Sequence, residues 1–391
     1  MSASKAETLS PRAILEALVA FPTVSDRSNL DLVQWVQDYL ASHGIESHRV
    51  DKPGDEAKAG LFAHVGPWEE GAVVLSGHTD VVPVEGQAWD SDPFTVVERD
   101  GRLYGRGCCD MKGFDALAIW ALVEGSKRDL VRPLQIAFSY DEEIGCMGAP
   151  PLIEAMDGVV PRGRDAIIGE PSLMKAVTGQ KGGTGYHVHV HGYEVHSSLV
   201  HTGVSAIMYG ARLIDWVNAR NAANMARTPT EVAALFTPPW STQHVGMIAG
   251  GTAHNITARD CTFAVECRLV PGETVADWCA AFEARADEIQ ADMQAVRPEA
   301  WIERAAFFTV PPLVPEDEGS AEALVRQITG DNGNHAVSYG TEAGHFQNAG
   351  YSAVICGPGS IEQAHQENEY LSIAELDAGQ DFMARLLDRL S

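Results

Sequence analysis

The residues of this sequence best suited to chemistry are imidazoles and carboxylates, spread from His78 to His365. His78 stands in the stretch LSGHTDVVP at residues 75–83. A metal-bound imidazole usually hands its second ring N–H to a carboxylate, which fixes the tautomer and raises the ring's basicity. Asp80, two residues on, lies on the same side of an extended chain and fits that role. A satisfied surface pair is the plainer reading. Asp110, in RGCCDMKG at 106–113, stands where a helix should begin, so it reads as an N-cap or as a carboxylate bridging two cations. Cys108 and Cys109 are soft ligands, but no His or Cys cluster at zinc spacing surrounds them, and packing is their simpler role. Asp141, Glu142 and Glu143 crowd three like charges that solvent or cations must neutralise. Of Glu142 and Glu143, one can bind a metal while the other takes a proton from water; a solvated acidic loop is the alternative. Glu170 ends the run IGE, and His365, in QAHQENE, reads as structural when taken alone.

These side chains need elements to carry them. The N-terminus reads as a helix with Ser10 as N-cap and Pro11 at its first position. A second helix spans 29–43, where Leu32, Trp35, Val36, Tyr39 and Leu40 recur at helical spacing and Gly44 terminates it. Short apolar runs at 60–65, 72–75, 134–140 and 165–168 read as strands, and 110–127 as a helix. Asp100-Gly101 between 95–99 and 102–104 predicts a tight hairpin. Strands alternating with helices favour an α/β sheet covered on both faces. Ligands gather at the carboxyl ends of such strands, and His78, Asp141–Glu143 and Glu170 each stand at one.

The texture changes at the glycine-rich stretch 179–185, which suggests an interdomain linker. Strands at 186–191, 244–248 and 260–269 and helices at 203–219 and 273–293 then form an α+β unit. In the first of these strands His187, His189 and His191 alternate and face one side. They read as an ordinary exposed strand face, with adventitious metal binding as the alternative. After Arg297 the α/β texture returns, with a strand at 352–356 and a last helix capped by Ser372 and Glu375. His365 must return to His78, so a smaller domain inserted into a larger one is the simplest organisation. The boundaries are 1–179, 180–296 and 297–391.

A chain of 391 residues exceeds what one core usually organises. Its net charge of −26 argues against nucleic acid and anionic membranes as partners, because phosphate binding needs clustered Lys and Arg. The seven cysteines include no CxxC pair, so neither a disulfide framework nor a zinc ribbon is indicated. No stretch approaches the length of a membrane span, and the N-terminus lacks a basic segment followed by an apolar run. A reducing cytoplasm is the expected compartment.

In order along the chain stand SGHTDVVP, GQAWDSDPF, GRGCCDMKG, SYDEEIGC, IGEP, HSS at 196–198, GGTAHNI, ECRLVPG, YGTEAGHFQ and GPGSIEQAHQENE. Together they resemble the acetylornithine deacetylase branch of the dizinc aminoacylase family, which also holds succinyl-diaminopimelate desuccinylase and glutamate carboxypeptidase. The resemblance covers nearly the whole chain. It implies a zinc-exopeptidase-like catalytic domain, a mixed sheet flanked by helices, split by a smaller α+β domain that forms a homodimer. It also implies two divalent ions, zinc first, with cobalt or manganese as alternatives. His78 and Glu170 would hold one ion, Glu143 and His365 the other, with Asp110 between them. Asp80 would support His78, and Glu142 would be the general base. His196 would reach the partner subunit's site and hold the substrate carbonyl oxygen. Asn255, Arg268, Gly340 and Thr341 would bind the substrate carboxylate and backbone. The implied reaction is removal of an acyl group from an N-acyl amino acid, foremost N2-acetyl-L-ornithine, a step of arginine biosynthesis.

Three places differ from the family pattern: the tail HQENE, Gln180-Lys181 in place of a His-Lys pair, and His201. None is a metal ligand, and they bear on the choice of acyl group. A succinylated diamino acid or a dipeptide is the alternative substrate. A catalytically silent metal- or ligand-binding relative is the alternative of another class.

Overall fold

Local signals set the first helix as expected. In the computed structural model, which describes residues 7–391, Pro11–Val19 is helical and the Ser10 side chain accepts from Ala13 N at 3.2 Å. The helix Leu30–Ser42 ends before Gly44, whose φ of 77° suits a residue without Cβ. Both helices bury their apolar stripes in a core they share with Lys112–Gly125. That third helix is buried on nearly every side, as an all-round apolar helix must be.

The chain divides into two units. The first holds the described residues up to Thr178, Pro315–His335 and Thr341–Ser391; the second holds Gly179–Val314 and Ala336–Gly340. Within an eight-stranded sheet, the first unit orders Ser47–Lys52, Asp55–Val65, Leu134–Ser139, Ala72–His78, Gly163–Pro171 and Ser352–Gly357. The last four run parallel to one another, and His78 stands opposite Ser139 in register. Their carboxyl ends therefore fall on one rim.

A separate three-stranded sheet carries the chain that leads to Asp110. Val97–Arg99 and Arg102–Tyr104 pair through Asp100 and Gly101, both at positive φ, the geometry a two-residue hairpin demands. Tyr370–Ser372 pairs with Arg102–Tyr104, with Tyr370 opposite Tyr104. This pairing fixes the residues after His365 to the strand that leads into Asp110, although more than 250 residues separate them in sequence.

In the second unit, four antiparallel strands follow the order Thr242–Gly250, Asp260–Leu269, Gly182–His191, Trp301–Val310. One face packs on the helices Ala206–Met225 and Val275–Val296 through Val188, Val190, Phe263, Val265, Leu213 and Phe282. Two sequence expectations change here. The glycine-rich stretch is no linker: Gly182, Gly183 and Gly185 are buried strand residues. A Cβ on Gly183 would come within 2.7 Å of the Cys267 carbonyl, so close strand contact explains these glycines better than flexibility. The expected return at residue 297 also falls too early, because Trp301–Val310 pairs along Gly182–His191 and carries the second unit on to Val314. No helix among the described residues is long and apolar enough to cross a membrane.

Candidate metal centre

Three parallel strand ends and one returning loop deliver the site. His78 closes the strand Ala72–His78, Glu142 and Glu143 follow Leu134–Ser139, and Glu170 lies at the end of Gly163–Pro171. Asp110 lies in the turn before the helix Lys112–Gly125, whose N-cap position is Met111 with no side-chain cap. The N-cap reading of Asp110 is therefore excluded, and its carboxylate is free for another use. One Asp110 oxygen lies 3.2 Å from His78 Nε2, and the other lies 3.2 Å from His365 Nε2. His365 Nε2 also stands 2.9 Å from Glu143. Ligand atoms of His78, Asp110 and Glu143 fall within 4.8 Å of one another, and so do those of His78, Glu142 and Glu170.

Four carboxylates crowd the buried His78 and the half-exposed His365, and the crowding shows in their protonation. Burial, helped by the charges of Glu143 and Asp110 and opposed by His78, pushes the Glu142 carboxyl up to about 8. Burial and Asp110 push Glu143 to about 7. Burial and the neighbouring carboxylates also drive Glu170 well above its ordinary range. The imidazoles respond oppositely. Burial disfavours the His78 cation, yet the bond to Asp110 and the charge of Glu142 hold its pKa well above the ordinary value. Hydrogen bonds to Asp110 and Glu143 raise His365 to about 11. Glu143 Oε1 is buried with no hydrogen-bond partner. Two divalent cations would balance the four carboxylates and occupy that orphaned oxygen, so the donor set fits a pair of metal ions.

Asp80 is placed differently from the sequence expectation. His78 Nδ1 lies 2.9 Å from the Asp80 backbone carbonyl, while the carboxylate is 3.7 Å away. The buried carboxylate instead accepts from Glu142 N at 3.1 Å, Glu143 N at 3.3 Å and Ser25 Oγ at 2.7 Å. It thus supports the imidazole through its main chain and the acidic loop through its side chain. Lys52 and Lys58 grip Asp141 at 2.8 and 3.0 Å, holding that loop from its other end.

Several supporting residues received no role from sequence. Glu369 accepts from the backbone N–H groups of Cys109 and Asp110 at 2.8 and 3.1 Å. It is paired with Arg106 at 2.7 Å, and both side chains are 1% exposed. Glu342 receives hydrogen bonds from Ser76 and Ser139 beneath the strand ends. Arg106, Glu342 and Glu369 each lie inside a motif quoted above. Ser25 lies in none of them, and only the fold reveals it.

The remaining expected site residues fall mostly in the second unit. His196 and Asn255 are brought together there: Ser197 N donates to the Asn255 carbonyl, and His196 bridges to Ile256. His196 is exposed, with Nδ1 2.8 Å from Ser198 Oγ. Arg268 lies on the strand face opposite the helices, 3.7 Å from Glu266. Gly340 ends the second unit and Thr341 resumes the first.

A mixed sheet whose parallel strand ends bring carboxylates and histidines together fits a metal-dependent hydrolase. Residues 74–389 match the peptidase family M20/M25/M40, and the chain belongs to that family. It is 36% identical over 385 residues to an acetylornithine deacetylase of Myxococcus xanthus, covering 96% of each chain. It is 32% identical over 381 residues to an acetylornithine deacetylase of Pasteurella multocida, covering 95% of each. The fold matches an M20 family metallo-carboxypeptidase of Sulfolobus solfataricus with a TM-score of 0.78, at 16% identity over 97% of this chain and 98% of that one.

Proposed function

We propose that this protein is a cytoplasmic, homodimeric deacylase that converts N2-acetyl-L-ornithine to L-ornithine and acetate. The observation that carries the reaction class is Asp110, whose two oxygens face different histidines within a buried cluster of carboxylates. The choice of substrate rests on similarity to the two deacetylases along nearly the full chain.

His78 and Glu170 would hold one ion, Glu143 and His365 the other, and Asp110 would serve both. Bound zinc would supply Lewis acidity, lowering the pKa of water and polarising the scissile carbonyl. Glu142 takes the proton from the attacking water and returns it to the leaving amine. Its surroundings suit a carboxyl that must exchange a proton near neutrality: Cys146 donates to it at 3.1 Å, and Asp80 fixes its backbone N–H. Asp80 and Glu369 hold the main chain on either side of the site. In this reading His196 donates to the substrate carbonyl oxygen in the partner's site, and Arg268, Asn255, Gly340 and Thr341 bind the amino-acid end. Arg268 suits a carboxylate because its planar fork can bind two oxygens at once.

A substrate panel tests the proposal. Purified protein should release acetate from N2-acetyl-L-ornithine faster than succinate from N-succinyl-diaminopimelate or amino acids from dipeptides. A chelator should abolish the activity, and Zn2+, Co2+ or Mn2+ added singly should show which ion restores it best. Preference for the succinyl compound or a dipeptide would reassign the substrate. Mixed dimers of His196→Ala and Glu142→Gln chains should recover part of the rate if His196 acts across the interface.

A further inference from the structure

In the second unit, the strand Gly182–His191 turns Tyr186, Val188 and Val190 toward the core and His187, His189 and His191 toward the other face. The far end of that histidine row differs from an ordinary exposed strand face. The rings of His189 and His191 are 3.6 Å apart, centroid to centroid. Register places Glu303, on the neighbouring strand, directly opposite His189. One ligand atom from each of His189, His191 and Glu303 falls within 4.8 Å of the other two. His191 Nε2, 3.5 Å from a Glu303 oxygen, is buried and has no hydrogen-bond partner. Such a nitrogen has given up its water without replacement.

The surroundings hold these groups in place. His191 stacks on Trp301 with ring centroids 4.3 Å apart and planes 3° from parallel. Asp260, opposite His191 on the other neighbouring strand, lies 2.9 Å from His189 Nε2. A carboxylate on one nitrogen of an imidazole fixes its tautomer, as the outer partners of metal-binding histidines do. All these residues stand on paired strands rather than loops, which keeps their spacing rigid.

We propose that His189, His191 and Glu303 form a further transition-metal site, built on the sheet of the second unit. Two imidazoles and a carboxylate select Zn2+, Ni2+ or Cu2+ over Mg2+ or Ca2+. Three protein ligands leave a fourth tetrahedral position for water. The ion would join the strands Gly182–His191 and Trp301–Val310, so the folded chain gains stability as free Zn2+ rises.

Zinc itself is the probe, with the full-length protein. After saturation and removal of loose ion by gel filtration, the wild type should retain one more equivalent per chain than H189A/H191A. Equal zinc contents would overturn the site. Because Glu303 is 54% exposed, E303Q tests the same site without disturbing the core. Competition with a chromophoric chelator should show the extra ion bound about tenfold or more weakly in E303Q. Unchanged affinity in a variant with an unchanged far-UV circular dichroism spectrum would overturn the proposal, even if H189A/H191A fails to fold.

Discussion

The two histidine–carboxylate clusters of this chain carry their charge in opposite ways. The first unit's cluster is sunk at the strand ends except at His365: the side chains of His78, Asp110 and Glu143 are at most 5% exposed, and that of His365 is 50% exposed. Burial, reinforced by neighbouring like charges, drives Glu142 and Glu143 toward neutrality. The second unit's cluster lies on a sheet face, where His189, His191, Asp260 and Glu303 are 27–54% exposed. Solvent carries part of its charge, and it holds fewer acids. On the proposed assignment, the first cluster would need bound cations to balance its charge, and the second would tolerate their loss. Of the two, it is the buried cluster that raises carboxyls toward neutrality, as the proposed base Glu142 requires.

The largest effect should come from the buried cluster. Glu142→Gln is expected to lower kcat by about 10²–10⁴-fold while metal content stays at the wild-type level. Substantial turnover in that variant would remove Glu142 as the base and weaken the contrast at its centre. Next is the support beneath the cluster. Glu369→Ala leaves the Arg106 cation buried without its carboxylate, and urea unfolding should show a loss of about 3–5 kcal/mol. A loss below about 1 kcal/mol would mean that Gln87 and the Gln366 carbonyl, which also accept from Arg106, suffice.

A smaller effect tests what burial does to a single imidazole. Burial lowers the His345 pKa to about 4, and its Nε2 has no hydrogen-bond partner. The unfolded chain therefore takes up this proton first, near pH 6.5. The His345 contribution is present in full above that pH and is lost as pH falls from about 6.5 to 4, to a total of about 3–4 kcal/mol. His345→Gln should flatten that part of the pH–stability curve, and an unchanged slope would assign it to other groups. The smallest effect belongs to the exposed cluster. In metal-free protein, Glu303→Gln should shift stability by no more than about 0.5 kcal/mol. A larger loss would show that the second cluster is a structural ion pair, ending the contrast from the other side.

Much of the buried site was legible from sequence because its residues end strands whose apolar runs are plain. The motif around His78 marks one strand end, Asp141–Glu143 another and Glu170 a third. The row His187, His189, His191 was equally legible, since alternation alone decides which face a strand residue occupies. Less legible were the glycines at 182–185, because a glycine run looks the same in a linker and in a strand pressed against its neighbours. Glu369 and Arg106 stood inside quoted motifs, yet nothing local distinguishes a buried ion pair from two solvated charges. Trp301–Val310 was assigned to the wrong side of the boundary because its partner strand lies more than a hundred residues earlier.

Residue types and short-range periodicity were enough to determine the α/β class, the inserted α+β unit and the set of groups able to gather cations. These features follow from local backbone preference and from the burial of apolar side chains, which act over a few residues. The tertiary structure alone decided that the Asp110 oxygens face separate histidines, that Asp80 holds the acidic loop as well as His78, and that Glu303 stands beside His189. Each of these depends on strand register and on chain closure over long separations. A shift of one residue in register of the strand Trp301–Val310 would turn Glu303 to the face away from His189.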